Sequence, residues 1–104
     1  MYNLQGIGTA EYEETMLTVY KYEIVISSTL LLPSGAEILS VSFQHGRVFL
    51  WAKVDTSLVK EARHFNVFGT GHIMPYDRAY RFIGTAHTDN GLVLHVFEIR
   101  IDYE

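Results

Sequence analysis

Apolar and polar residues alternate with a period of two in several short runs, the pattern of half-buried strands. In Val19 to Ser27, the residues Tyr20, Tyr22, Ile24 and Ile26 fall on one face, while Lys21 and Glu23 fall on the other. Thr29 to Leu32 continues as an extended segment into Pro33-Ser34-Gly35, a turn in which Pro sets φ and Gly supplies a positive one. The sharpest local signal is a hairpin, Ile38 to Gln44 and Arg47 to Val54 around His45-Gly46. A two-residue primed turn needs positive φ at both centres, which Gly takes freely and His tolerates better than most residues. That turn sets Phe43 opposite Val48, Val41 opposite Leu50 and Leu39 opposite Ala52 on the core face. On the other face, Gln44 meets Arg47, Ser42 meets Phe49 and Ser40 meets Trp51.

Further along, Ala62 to Gly69 reads as a strand closed by Gly69-Thr70-Gly71-His72. Tyr80 to His87 and Leu92 to Ile101 form a last hairpin around Asp89-Asn90-Gly91. A two-residue loop there would set Arg81 against Arg100 and Ile83 against Glu98, both unfavourable. A three-residue loop with Gly91 left-handed pairs Ile83 with Phe97 and Thr85 with His95, and is preferred. No helix of three turns fits anywhere, and Thr56 to Ala62 has room for one turn at most. The expected fold is all-β, a single small antiparallel sandwich or barrel of about six strands with hairpin connections. Residues 19–104 make up that domain. Residues 1–18 show no sustained period and read as an N-terminal arm, with one helical turn around Glu11 to Met16 or a swapped strand as alternatives.

Composition narrows the function classes. A chain of 104 residues is one domain, and 48% hydrophobic residues supply a core that a disordered segment lacks. The net charge of −4 argues against nonspecific nucleic-acid binding, which is driven by neutralising phosphates. No apolar run approaches the ~20 residues that span a bilayer, so no membrane partner is expected. With no Cys there is neither a disulfide framework nor a thiolate nucleophile.

Candidate chemistry is sparse. The five His residues form no recognisable ligand spacing, so no metal and no cofactor is expected, and His45 reads as a turn residue. No nucleophile elbow, zinc-protease motif or acid–base pair stands out, so no catalytic residue is assigned and the protein is read as nonenzymatic. Gly69-Thr70-Gly71-His72 has the composition of a backbone nest for anions but precedes no helix, and a plain turn is the simpler reading. Phe49 and Trp51 next to Ser40 and Ser42, on a face that is not the main core, suit a binding surface. Tyr76 and Tyr80 are further candidates for stacking, although such rings more often belong to a core or an oligomer interface. The candidate ligand- or partner-binding set is therefore Ser40, Ser42, Arg47, Phe49, Trp51, Arg63, Gly69, Thr70, Gly71 and His72. A phosphorylated small ligand would need converging cations, for which Arg47, Arg63, Arg78 and Arg81 are available.

Ordered landmarks run through three-quarters of the chain. They are Leu32-Pro33-Ser34-Gly35-Ala36-Glu37-Ile38-Leu39-Ser40-Val41, then Gln44-His45-Gly46, then Leu50-Trp51-Ala52-Lys53-Val54-Asp55. Arg63, Phe65, Gly69-Thr70-Gly71-His72, Ile83-Gly84-Thr85 and His95-Val96-Phe97-Glu98 complete the series. In this order the pattern resembles a family of small uncharacterised bacteriophage and prophage proteins. The resemblance covers Lys21 to Glu98 and omits the arm. It carries no activity with it. What it implies is a phage accessory protein made in the cytoplasm of the infected bacterial host; apart from the resemblance, the all-β binding protein is expected to assemble as a homo-oligomer. Such a protein would act against a host defence protein or sequester a nucleotide-like signal. A structural accessory subunit of the virion is the alternative.

Overall fold

β-Branched and aromatic residues at alternating positions build seven strands, and turn residues separate them. The computed structural model describes residues 16–101. In chain order the strands are β1 (Leu17–Ile24), β2 (Ser27–Pro33), β3 (Glu37–Gln44), β4 (Arg47–Asp55), β5 (Lys60–Gly69), β6 (Arg78–His87) and β7 (Val93–Ile101). They form two antiparallel sheets with the orders β1-β4-β3 and β2-β5-β7-β6. The described residues contain no helix, and the fold is an antiparallel β-sandwich.

The core lies between the sheets. Strand β4 sends Val48, Leu50, Ala52 and Val54 inward, where they meet Ile24, Leu32, Phe65 and Val96. Leu32, Leu50, Phe65 and Val96 are wholly inaccessible to solvent, each worth roughly 1.5–3 kcal/mol of burial. Edge strands β3 and β6 run beside each other where the two sheets meet. The approach is closest at Gly84, where a Cβ would lie 2.8 Å from Cγ2 of Val41.

The His45-Gly46 turn forms as expected, with φ of 53° and 78°. Pro33-Ser34-Gly35 is also a turn: the Ala36 N–H donates to the Pro33 carbonyl at 3.1 Å, and Gly35 has φ of 77°. In the last hairpin Gly91 is left-handed, and Thr85 faces His95 as the three-residue loop requires.

Four expectations are corrected. The strand count is seven, not about six, because the run from Val19 to Ser27 breaks at Val25-Ile26 and crosses from one sheet to the other. The Val25 N–H donates to the Ser28 hydroxyl at 2.8 Å at that crossing, and Ile26 is 76% exposed instead of inward. The second correction is at Leu39: a β-bulge pairs Ile38 with Ala52, and the extra residue Leu39 turns to solvent. A second bulge, at Ile83, sets Phe82 and not Ile83 opposite Phe97, and brings Arg81 opposite Glu98. Finally, β1 begins at Leu17, so residues 17 and 18 belong to the sandwich. The helical turn or swapped strand considered for the arm falls largely on residues 1–15, outside the described residues.

Candidate functional site

The central hairpin places five of the candidate residues on the outer face of the three-stranded sheet. Ser40 lies opposite Trp51, Ser42 opposite Phe49, and Arg47 closes the ladder opposite Gln44. Phe49 and Trp51 pack with ring centroids 6.3 Å apart and are half-buried. The residue that partly covers them is Lys21 on β1, whose Nζ sits 4.2 Å from the Phe49 centroid and donates to Gln44 Oε1 at 3.1 Å. This ammonium over a ring face is a cation–π contact. Ion pairs flank it, Arg47 with Glu23 at 3.3 Å and Lys53 with Glu37 at 3.2 Å. These groups satisfy one another, so the face has the character of a solvated surface built around two rings.

Arg63 lies elsewhere. On β5 it points to the inner side of the four-stranded sheet, where its Nε and Nη2 donate to Glu98 on β7 at 2.7 and 2.8 Å. Its Nη1 donates to the Ala36 carbonyl at 2.6 Å, tying the Pro33–Ala36 turn to the sheet. The pair is largely buried, at 15% and 17% side-chain exposure, and its hydrogen bonds hold the Arg63 guanidinium above its ordinary pKa. Both Glu98 oxygens are thereby taken. Arg81, directly opposite Glu98 on β6, is exposed. Arg100 stands two residues beyond Glu98 on the same side of β7, opposite Ala79. Together with Glu61 these residues line an open cleft of about 860 Å³. Its described lining carries three guanidinium groups and two carboxylates.

The Gly69 to His72 loop is a tight turn. The His72 N–H donates to the Gly69 carbonyl at 3.0 Å, and the Gly69 N–H donates to His72 Nδ1 at 3.1 Å. Gly71 has φ of 90°, and a Cβ at Gly69 would come within 2.9 Å of the His72 ring. Two N–H groups that a nest would present to an anion are thus engaged inside the loop. Thr70 turns its hydroxyl to His95 Nε2 at 2.8 Å, and the Thr85 hydroxyl lies 3.2 Å from Nδ1 of the same ring. Among the described residues no group of three His, Cys, Asp or Glu side chains has the geometry to hold a metal ion.

The ten candidate residues therefore occupy three places. Ser40, Ser42, Arg47, Phe49 and Trp51 share one surface; Arg63 belongs to the cleft; Gly69 to His72 lie six residues further along β5 from Arg63, about 20 Å away. Arg47 and Arg78 do not converge with Arg63 and Arg81, since Arg47 is on the other sheet and Arg78 pairs with Asp77 at 2.8 Å. Of the further aromatics, Tyr76 is fully exposed in a loop, and Tyr80 donates its hydroxyl to the Pro75 carbonyl at 2.8 Å. The sequence reading missed Glu98 and Arg100 as parts of a site. A signal was present: two residues apart in one strand, they share a face.

Comparison with curated proteins and with solved structures returns no match for this chain. A family profile matches residues 16–102, nearly the same span as the seven strands. The chain belongs to that family, described as a domain of unknown function, DUF7352.

Proposed function

We propose that this is a nonenzymatic binding protein that captures a small phosphorylated ligand in the arginine cleft. The observation that carries the reading is the arrangement around Glu98: Arg63 takes both carboxylate oxygens, and Arg81 stands opposite at the edge of an 860 Å³ opening. A guanidinium held beside a cleft recognises phosphate through paired, charge-assisted N–H donors. The volume is in the range of small-molecule sites. Taken with the resemblance to phage and prophage proteins, the ligand class is a nucleotide-like signal. The biological role is then sequestration of a host defence signal in the cytoplasm of the infected bacterium.

The test is native mass spectrometry of protein purified from a bacterial host, followed by titration of a panel of mono-, di- and cyclic nucleotides. Bound mass that denaturation releases, or saturable binding weakened about 10- to 100-fold in Arg81→Ala, is the expected result. An empty protein that binds no nucleotide at millimolar concentration refutes the reading. Detection of the chain in purified phage particles would then favour a virion subunit.

A further inference from the structure

The two outer faces of the sandwich differ in kind. That of the three-stranded sheet is laced with ion pairs, Glu23 with Arg47 and Glu37 with Lys53. The outer positions of the four-stranded sheet carry no Asp or Glu in any described strand, and their Lys60 and Arg78 sit at strand starts. The middle of that face is instead a cluster of rings. Phe97 meets Phe68, Tyr80 and Phe82 edge to face, with centroids 6.0, 5.8 and 5.5 Å apart, and Phe68 meets Tyr80 at 5.9 Å. Beside them Ile99 is only 8% exposed although it points away from the core, because neighbouring side chains already crowd it. Phe82 and Leu31, at 57% and 61%, remain open to solvent. Beneath the cluster Asn66, opposite Phe97, buries its Oδ1 without a hydrogen-bond partner.

We infer that this face is where two copies of the chain pair about a two-fold axis. Charge is compatible with a second copy. The described residues carry eight Lys and Arg against seven Asp and Glu, so two sandwiches approach without strong net repulsion, and this face sets no carboxylate against another when it meets itself. A face with no charge in its centre offers nothing to steer an acidic or a basic partner, but it is complementary to itself. Size permits it as well. Four strands about 4.8 Å apart and some 30 Å long present nearly 600 Å² a side, so a face-to-face pair buries more than the ~1,000 Å² that marks a specific interface. Rings already locked against one another lose little freedom on docking. Tyr80 and Ile99 of this face also line the arginine cleft, but pairing needs no ligand, so the inference does not rest on the proposed function.

Sedimentation velocity on the full chain from about 1 to 100 µM tests it. The expected species has twice the 11.9 kDa chain mass. Phe82→Glu and, separately, Leu31→Glu should each halve the mass while the circular dichroism spectrum stays native. Val19→Glu, on the outer face of the other sheet, should leave the double mass unchanged. A wild-type monomer at 100 µM overturns the inference. So does a dimer that survives both folded variants on the ring face, or one that Val19→Glu disrupts equally.

Discussion

Replacing Gly84 by Ala tests how closely the two sheets are fitted, because the sign of its effect depends on one neighbouring methyl. The new Cβ lies 2.8 Å from Val41 Cγ2 but 3.8 Å from Val41 Cβ and Cγ1. Real Cβ contacts do not come as close as the first distance, so Val41 or the β6 backbone has to shift. Overpacking of this kind costs about 1–3 kcal/mol. Against it stands the gain from replacing a strand glycine, about 0.5–1 kcal/mol of backbone entropy. The net expectation for Gly84→Ala is a loss of about 1–2 kcal/mol, or roughly 5–10 °C in Tm for a domain of this size. In a Val41→Ala background the offending methyl is gone and the remaining neighbour is at ordinary contact distance. There the same substitution should stabilise by about 0.5–1 kcal/mol. A double-mutant cycle by urea denaturation, on wild type, both single variants and the pair, reads the reversal directly. If Gly84→Ala shifts stability equally in both backgrounds, the methyl contact is not what limits the approach of the sheets, and the reasoning fails.

Two further outcomes probe the polar framework. Arg63→Met should cost about 2–3 kcal/mol, since it strands a largely buried Glu98 carboxylate and the Ala36 carbonyl, whereas replacing both Arg63 and Glu98 by Met should cost less than either single change. Chemical denaturation of the three variants gives the order, and a silent Arg63→Met would show that the pair does not close this end of the sandwich. Hydrogen bonds from the Ser57 hydroxyl and amide, then the Met16 amide, hold the Asp55 carboxyl below its ordinary pKa. A depressed folded-state value means stability that is present above the unfolded carboxylate range near pH 4 and lost as pH falls through the folded value. Wild type and Asp55→Asn should therefore differ at pH 6 and converge near pH 2 in urea melts; a constant gap across that range would exclude the linkage.

Period-two alternation carried most of the architecture. It located the strands, and the His45-Gly46 turn set the pairing of Ser42 with Phe49 and Ser40 with Trp51, because a short turn with two positive φ values leaves one register. It did not carry the bulges. Leu39 and Ile83 are ordinary strand residues by composition, and nothing local shows that a neighbouring strand will skip them. The skip at Ile83 mattered to the site: it put Arg81 opposite Glu98 instead of Ile99, which is how the cleft acquires its charge arrangement. Nor does alternation reveal a change of sheet. Ile24 and Leu32 both point to the core, so the crossing at Val25-Ile26 reads like a continuing strand. Surfaces were harder still. Phe49 and Trp51 stood out in the sequence, yet the larger ring cluster is assembled from β5, β6 and β7 and exists only once those strands are side by side.

The two bulges also bear on solubility at high expression. They lie on β3 and β6, the strands that end their sheets and run beside each other, whose backbone groups would become templates for open-ended strand addition if the sheets parted at that seam. A misfit of one residue in each interrupts the regular spacing that another chain's strand would need for a continuous ladder. The same irregularities that hide the register from the sequence thus guard against fibre growth from these edges, leaving flat, face-to-face contact as the safer route to assembly.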